Sequence, residues 1–121
     1  MAYIYSFEKL EVWQLSRKLI VDIYRITRDF PEEEKFGLIS QLRRASISVA
    51  SNLAEGTSRE TFKDKAHFSQ ISYSSLMEVL CQLIISCDLE YISIDVLINI
   101  RLQIDEIANK LNALRNFQLK S

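Results

Sequence analysis

The chain has 121 residues, 48% of them hydrophobic and 26% charged, with a net charge of −1, two Gly and one Pro. That length suits one domain with one ordinary core, and the near-neutral balance supplies no global basic field for nucleic acid. So few Gly and Pro leave little material for the turns that a sheet requires, which favours long helices with few connections.

The first helix is expected over about residues 8–28. Leu15, Leu19, Ile23, Ile26 and Phe30 recur every three or four positions and therefore share a face. Trp13, Ile20 and Tyr24 form a second apolar row beside it. Pro31 ends the segment because its ring cannot continue the hydrogen-bond ladder. Glu32, Glu33 and Glu34 then suit the positive N-terminal end of a second helix, expected over about residues 34–55.

In that second helix Ile39, Leu42, Ser46, Val49, Leu53 and Gly56 keep an unbroken alternation of three and four, a heptad-type seam. Ser46, Ala50 and Ala54 place small side chains one turn apart, which lets two backbones approach closely and favours self-association. Gly56 suits the left-handed residue that closes a helix. A polar row of Arg44, Ser48, Ser51 and Glu55 runs alongside and fits either a solvated face or a contact with another subunit.

A third helix should cover about residues 61–89, capped by Thr61 with Asp64 at its third position. Phe68, Ile71, Leu76, Val79, Leu83 and Cys87 are expected to face inward. The fourth, about 94–117, carries Leu97, Ile100, Ile104, Ile107, Leu111 and Leu114 in the same slip-free pattern. Short connections force antiparallel neighbours, so the expected fold is an all-α, up-down-up-down four-helix bundle spanning residues 1–121 as one domain.

Catalytic and cofactor motifs do not emerge. The single histidine, His67, lacks companions at metal-ligand spacing. Gly37 and Gly56 are isolated, so no phosphate-cradling loop forms. No Ser nucleophile elbow or Ser-x-x-Lys motif occurs. Neither an enzyme nor a cofactor nor a small-molecule substrate is expected. Cys81 and Cys87, six apart in one helix, read as two buried reduced thiols. The purest apolar stretch, Val79–Cys87, is far short of the ~20 residues of a membrane helix. The opening MAYIYSFEKLEVW lacks the basic and cleavage segments of a secretion signal, so a cytoplasmic location is expected.

Glu78 is the only charge between His67 and Asp88, and Arg43 or Arg44 on the neighbouring helix is its natural partner. A buried pair is expected, whose loss through Glu78→Ala costs on the order of 3–5 kcal/mol. On the first helix Arg17, Lys18, Arg25 and Arg28 cluster over roughly one and two turns and are candidate contacts for RNA or DNA.

The stretch QLRRASISVASNLAEGTSRE resembles the signature of the four-helix-bundle family of proteins encoded in 23S rRNA intervening sequences, often labelled S23 ribosomal proteins. The matching positions are Gln41, Leu42, Arg43, Arg44, Ala45, Ser48, Asn52, Leu53, Ala54, Glu55, Gly56 and Arg59, with Ser75, Leu76 and Glu78 in a second segment. Ser72 and Ser74 depart from the family's usual Ala and Gly but stay small, which implies slightly looser contact with the facing helix. The resemblance implies a non-enzymatic bundle that assembles into a homopentameric ring and acts as an adaptor or scaffold. It is also similar to the accessory variability proteins of diversity-generating retroelements, whose ring binds a reverse transcriptase and nucleic acid. Those relatives are strongly basic, whereas this chain is not.

Overall fold

In the computed structural model, which describes residues 2–121, four helices carry the fold: α1 Glu11–Thr27, α2 Leu38–Thr57, α3 Phe62–Asp88 and α4 Ile94–Leu119. Successive helices pack antiparallel, α1 on α2, α2 on α3 and α3 on α4, and α4 closes the bundle against α1. The α2–α3 seam is the most extensive and the α1–α4 seam the thinnest. No strand occurs among the described residues.

The heptad rows meet along the axis. Leu19 and Ile23 of α1, Leu42 and Val49 of α2, Leu76, Val79 and Leu83 of α3, and Ile104 and Ile107 of α4 are fully buried. Each such side chain contributes roughly 1.5–3 kcal/mol relative to exposure. In α4, Leu97, Ile100 and Leu111 join them and Leu114 is half-buried. Thr61 caps α3 by accepting the Asp64 N–H at 3.1 Å, and Ser93 caps α4 by accepting the Val96 N–H at 3.2 Å.

Three boundaries differ from expectation. The first helix begins at Glu11, because Ser6–Lys9 form a separate 3-10 turn and Leu10 is extended. The second begins at Leu38 rather than near residue 34: Glu32–Glu34 make another 3-10 turn, and Gly37, with φ −108 and ψ −114, interrupts the helical path. The acidic run still serves the start of α2, since Glu34 Oε1 accepts the Leu38 N–H at 3.2 Å. At its far end α2 continues to Thr57, so Gly56 is an ordinary helical residue and not a left-handed terminator.

The left-handed residue lies elsewhere, at Glu90, with φ 65. The Tyr91 N–H reaches the Ser86 carbonyl and the Glu90 N–H the Cys87 carbonyl, both at 2.9 Å, which is the Schellman closure of α3.

The orientation of α3 also differs in part. Phe68, Ile71 and Cys87 are half-buried, while Ser69, Ser72, Ser75 and Ser86 face the interior. Ser72 donates to the Val49 carbonyl of α2 at 2.9 Å, so its hydroxyl ties the helices together and does not loosen them. Ser74 is exposed.

Candidate functional site: the polar seam and outward face of α2 and α3

On α2, Gln41, Arg44, Ser48, Asn52 and Glu55 follow one another at three or four residues and so line the edge that faces α3. On α3, Ser75, Glu78 and Gln82 form the opposing row. Arg44 Nη2 donates to Glu78 Oε2, and Gln82 Nε2 donates to the same oxygen at 3.3 Å and to Gln41 Oε1 at 3.4 Å. One turn further on, Ser48 and Ser75 share a hydrogen bond at 2.8 Å, and Asn52 Nδ2 donates to the Ser48 carbonyl at 2.9 Å and to its hydroxyl at 3.0 Å. At the end of α2, Arg59 pairs with Glu55 at 2.7 Å and stacks 4.6 Å over the Phe68 ring. Gln82 Oε1 is buried without a partner.

The Arg44–Glu78 pair exists but is not buried: its side chains are 60% and 37% exposed. Glu78 precedes the fully buried Val79 by one position, and a step of about 100° turns it from the core to the helix edge. Its neighbour Arg43 turns the other way, towards α1. There it donates from Nε to Thr27 Oγ1 at 3.0 Å and from Nη2 to the Tyr24 carbonyl at 3.4 Å, with its guanidinium 4.5 Å over the Tyr24 ring. Adjacent arginines thus tie α2 to two different helices.

Two signature residues act through absence of bulk. Ala45 is fully buried. A Cβ on Gly56 would sit 2.9 Å from Phe68 Cβ and 3.6 Å from the Lys65 carbonyl oxygen, so α3 crosses α2 where only glycine leaves room.

Beside this seam α3 turns outward a strip that is almost free of charge. Ser74, Cys81 and Ile85 are exposed and Met77 and Ile84 half-buried. Cys81 is therefore not the buried thiol expected; it lies on the outward side of a helix that is apolar on nearly all sides. His67 is exposed as well. On α4, Ile94, Ile98 and Leu102 are 59%, 52% and 66% exposed.

The cations Arg17, Lys18 and Arg25 of α1 and Arg28 just past its end are all exposed. Arg17 lies 5.0 Å over the Trp13 ring, and Arg25 has Asp22 at 3.9 Å. Arg25 and Arg28 border a shallow groove of about 410 Å³ with Ile20, Val21, Tyr24 and Ile47; Arg17 and Lys18 lie further along the helix and outside it.

Three features were missed in sequence reasoning: Gln82 in the seam, Thr27 as the acceptor for Arg43, and the Tyr91 hydroxyl donating to Glu34 Oε2 at 3.0 Å between the two loops at one end. Only Gln82 left a signal, one turn after Glu78. Among the described residues no cluster of three His, Cys, Asp or Glu side chains could hold a metal ion, and no helix is long and apolar enough to cross a membrane.

The chain belongs to the 23S rRNA-intervening sequence protein family, whose pattern matches residues 8–113. No curated protein matches it. Among solved structures it is similar to a protein of unknown function from the S23 ribosomal protein family of Bacteroides thetaiotaomicron VPI-5482, with 20% identity and a TM-score of 0.62 over 90% of this chain and 95% of that one. At that identity the likeness shows the shared fold.

Proposed function

We propose that this family member is a self-assembling helical scaffold, non-enzymatic, whose working unit is a ring of copies and whose role is to hold another macromolecule. The observation that carries this reading is the outward strip of α3, where Ser74, Cys81 and Ile85 are exposed and Met77 and Ile84, half-buried against the core, form its edges, with scarcely a charge among them. A helix face serving only as a solvated surface carries Lys, Arg, Asp and Glu; an apolar one marks contact with another protein. The flanking Arg44, Ser48, Ser51 and Glu55 supply the polar rim such an interface has. Five copies is the number that the family resemblance suggests.

Native mass spectrometry and light scattering test it. The purified chain is expected as one closed oligomer, and Ile85→Asp should release helical monomers with an unchanged circular dichroism spectrum. A wild-type monomer at micromolar concentration, or an Ile85→Asp variant that assembles normally, defeats the proposal.

A second reading, weak binding of RNA or DNA, alone or with a nucleic-acid enzyme held by the ring, is favoured by the exposure of Arg17, Lys18 and Arg25 on α1 and of Arg28 at its end. Repetition around a ring would multiply a modest patch. A low-salt titration with RNA and DNA should then show affinity falling steeply with added salt, and a flat salt response removes phosphate contacts from consideration.

A further inference from the structure

At the end of the bundle where α2 passes into α3, the helices line a half-open cavity of about 230 Å³ that borders Gly56 but lies apart from the polar rows of the seam and from the outward strip. Its apolar walls are Leu10 below α1, Leu53 of α2, Phe62 of α3, and Leu114 and Phe117 of α4, with the hydroxyl residues Ser6, Thr57 and Ser69 between them. A cavity of about 150 Å³ lined in this way already accepts benzene, so the larger volume has room for a ring and a short substituent.

Two polar groups define what that substituent is. Lys65 lines the cavity, is half-buried, and reaches only the Thr57 carbonyl oxygen at 3.3 Å; it takes part in none of the ion pairs among the described residues. Gln118 is 9% exposed, and its Oε1 accepts the Ser69 hydroxyl at 2.7 Å, which leaves Nε2 without a protein acceptor among the described residues. That N–H is not among the buried unpaired polar atoms, so it keeps access to solvent and is free to donate to a ligand. An ammonium and an amide donor at the edge of an apolar chamber match an anion with two acceptor oxygens on a hydrophobic body. A cationic ligand would meet Lys65 as a like charge, and a phosphate dianion would find one cation where it needs more.

We propose that this cavity is a binding site for a small aryl or branched aliphatic carboxylate, its apolar body against Leu53, Leu114 and Phe117 and its carboxylate between Lys65 Nζ and Gln118 Nε2. The site draws on the ends of α2, α3 and α4, so occupancy staples that end of the bundle. It stands independently of self-assembly.

Methyl-resolved NMR spectra of the full chain, titrated with phenylacetate and with phenylacetamide as its neutral counterpart, test the site. Phenylacetate should give saturable shifts of the Leu10, Leu53 and Leu114 methyls, in the micromolar-to-millimolar range of ligands this small. Phenylacetamide should bind about tenfold more weakly, the loss of one charge-assisted contact. Lys65→Met should bring phenylacetate down to the level of the amide, and Leu114→Trp, which fills the chamber, should abolish both while the helical spectrum is retained. Equal affinity of acid and amide for the wild-type chain, shifts confined to other methyls, or no saturation overturns the proposal. So do contacts from Tyr3 or Ile4 into Leu53 and Leu114 that phenylacetate fails to displace, since the chain's own first residues would then be the occupant.

Discussion

Gly56→Ala separates two opposed forces on a single methyl group. Gly56 lies inside α2, where alanine is favoured over glycine by about 1 kcal/mol through helix propensity and chain entropy. The new Cβ would stand 2.9 Å from Phe68 Cβ, closer than carbon atoms tolerate, and Phe68 Cβ is fixed to the α3 backbone and cannot swing aside. Separating the helices enough to seat a methyl costs about 1–3 kcal/mol. The balance is a net loss of about 1 kcal/mol, or about 3–6 °C in Tm for a domain of this size. Gly56→Val should lose more, because its branches add bulk and its propensity gain is smaller. Urea unfolding followed by circular dichroism, at fixed protein concentration so that assembly does not shift the baseline, measures the difference. A Gly56→Ala variant that is more stable than wild type by about 1 kcal/mol would refute the reasoning, because propensity alone would then govern the site.

Glu78→Ala should lower stability by no more than about 1 kcal/mol, since its partner Arg44 is largely exposed; a loss of 3 kcal/mol or more in a melt would mean that the pair is buried in the native assembly. Tyr91 has its phenol pKa raised above the ordinary value of 10.0 by its hydrogen bond to Glu34, by burial and by the charges of Glu34 and Glu33. The neutral phenol is thus favoured by folding, so this contribution is complete below pH 10.0 and is lost as pH rises through the higher folded-state value. Urea midpoints recorded across alkaline pH should fall more steeply for wild type than for Tyr91→Phe, and parallel curves exclude the linkage. Glu90→Gly should leave stability unchanged or raise it by about 0.5 kcal/mol, as relief of a left-handed non-glycine residue outweighs the added freedom of the unfolded chain; a drop above 1 kcal/mol would show that the Glu90 side chain makes a contact of its own.

Much of the fold was legible because periodicity is a local property. The rows of α2 and α4 point one way without a slip, and Thr61 and Ser93 announce the helices that follow them. α3 is harder. With apolar residues on every side, its spacing does not say which face turns inward, so Phe68 and Ile71 were expected where Ser69 and Ser72 lie. Gly56 was ambiguous for a different reason. A glycine near a helix end serves equally as a left-handed stop or as room for a neighbour, and the neighbour Phe68 comes from the next element. Arg43 and Arg44 are one residue apart, yet about 100° of rotation sends one to α1 and the other to α3. Side-chain identity alone does not resolve that. The start of α2 depends on the backbone of Gly37, which delays the helix that the three glutamates after Pro31 were expected to open.

The slim residues of α2 and α3 then take on a narrower meaning than self-association. Serine is a short side chain, so Ser48 and Ser75 reach 2.8 Å, and Ser72 reaches the Val49 carbonyl at 2.9 Å, only if the helix axes lie at the near end of the usual 8–10 Å separation. Ala45 and Gly56 permit that approach, and the hydroxyls then bond across it. Small size and polarity are two halves of one device, and both are used up inside a single chain: Ser46, Ser72 and Ser75 are already buried before any second copy arrives. What remains for a partner is the bulkier material those residues push outward. Because serines share the inward positions of α3 with Leu76, Val79 and Leu83, Cys81 and Ile85 are left exposed on its other side, with Met77 and Ile84 half-buried at the edges. A helix that turns serines as well as Leu76, Val79 and Leu83 inward has apolar residues left over at Cys81 and Ile85, and only contact with another molecule removes that surface from water.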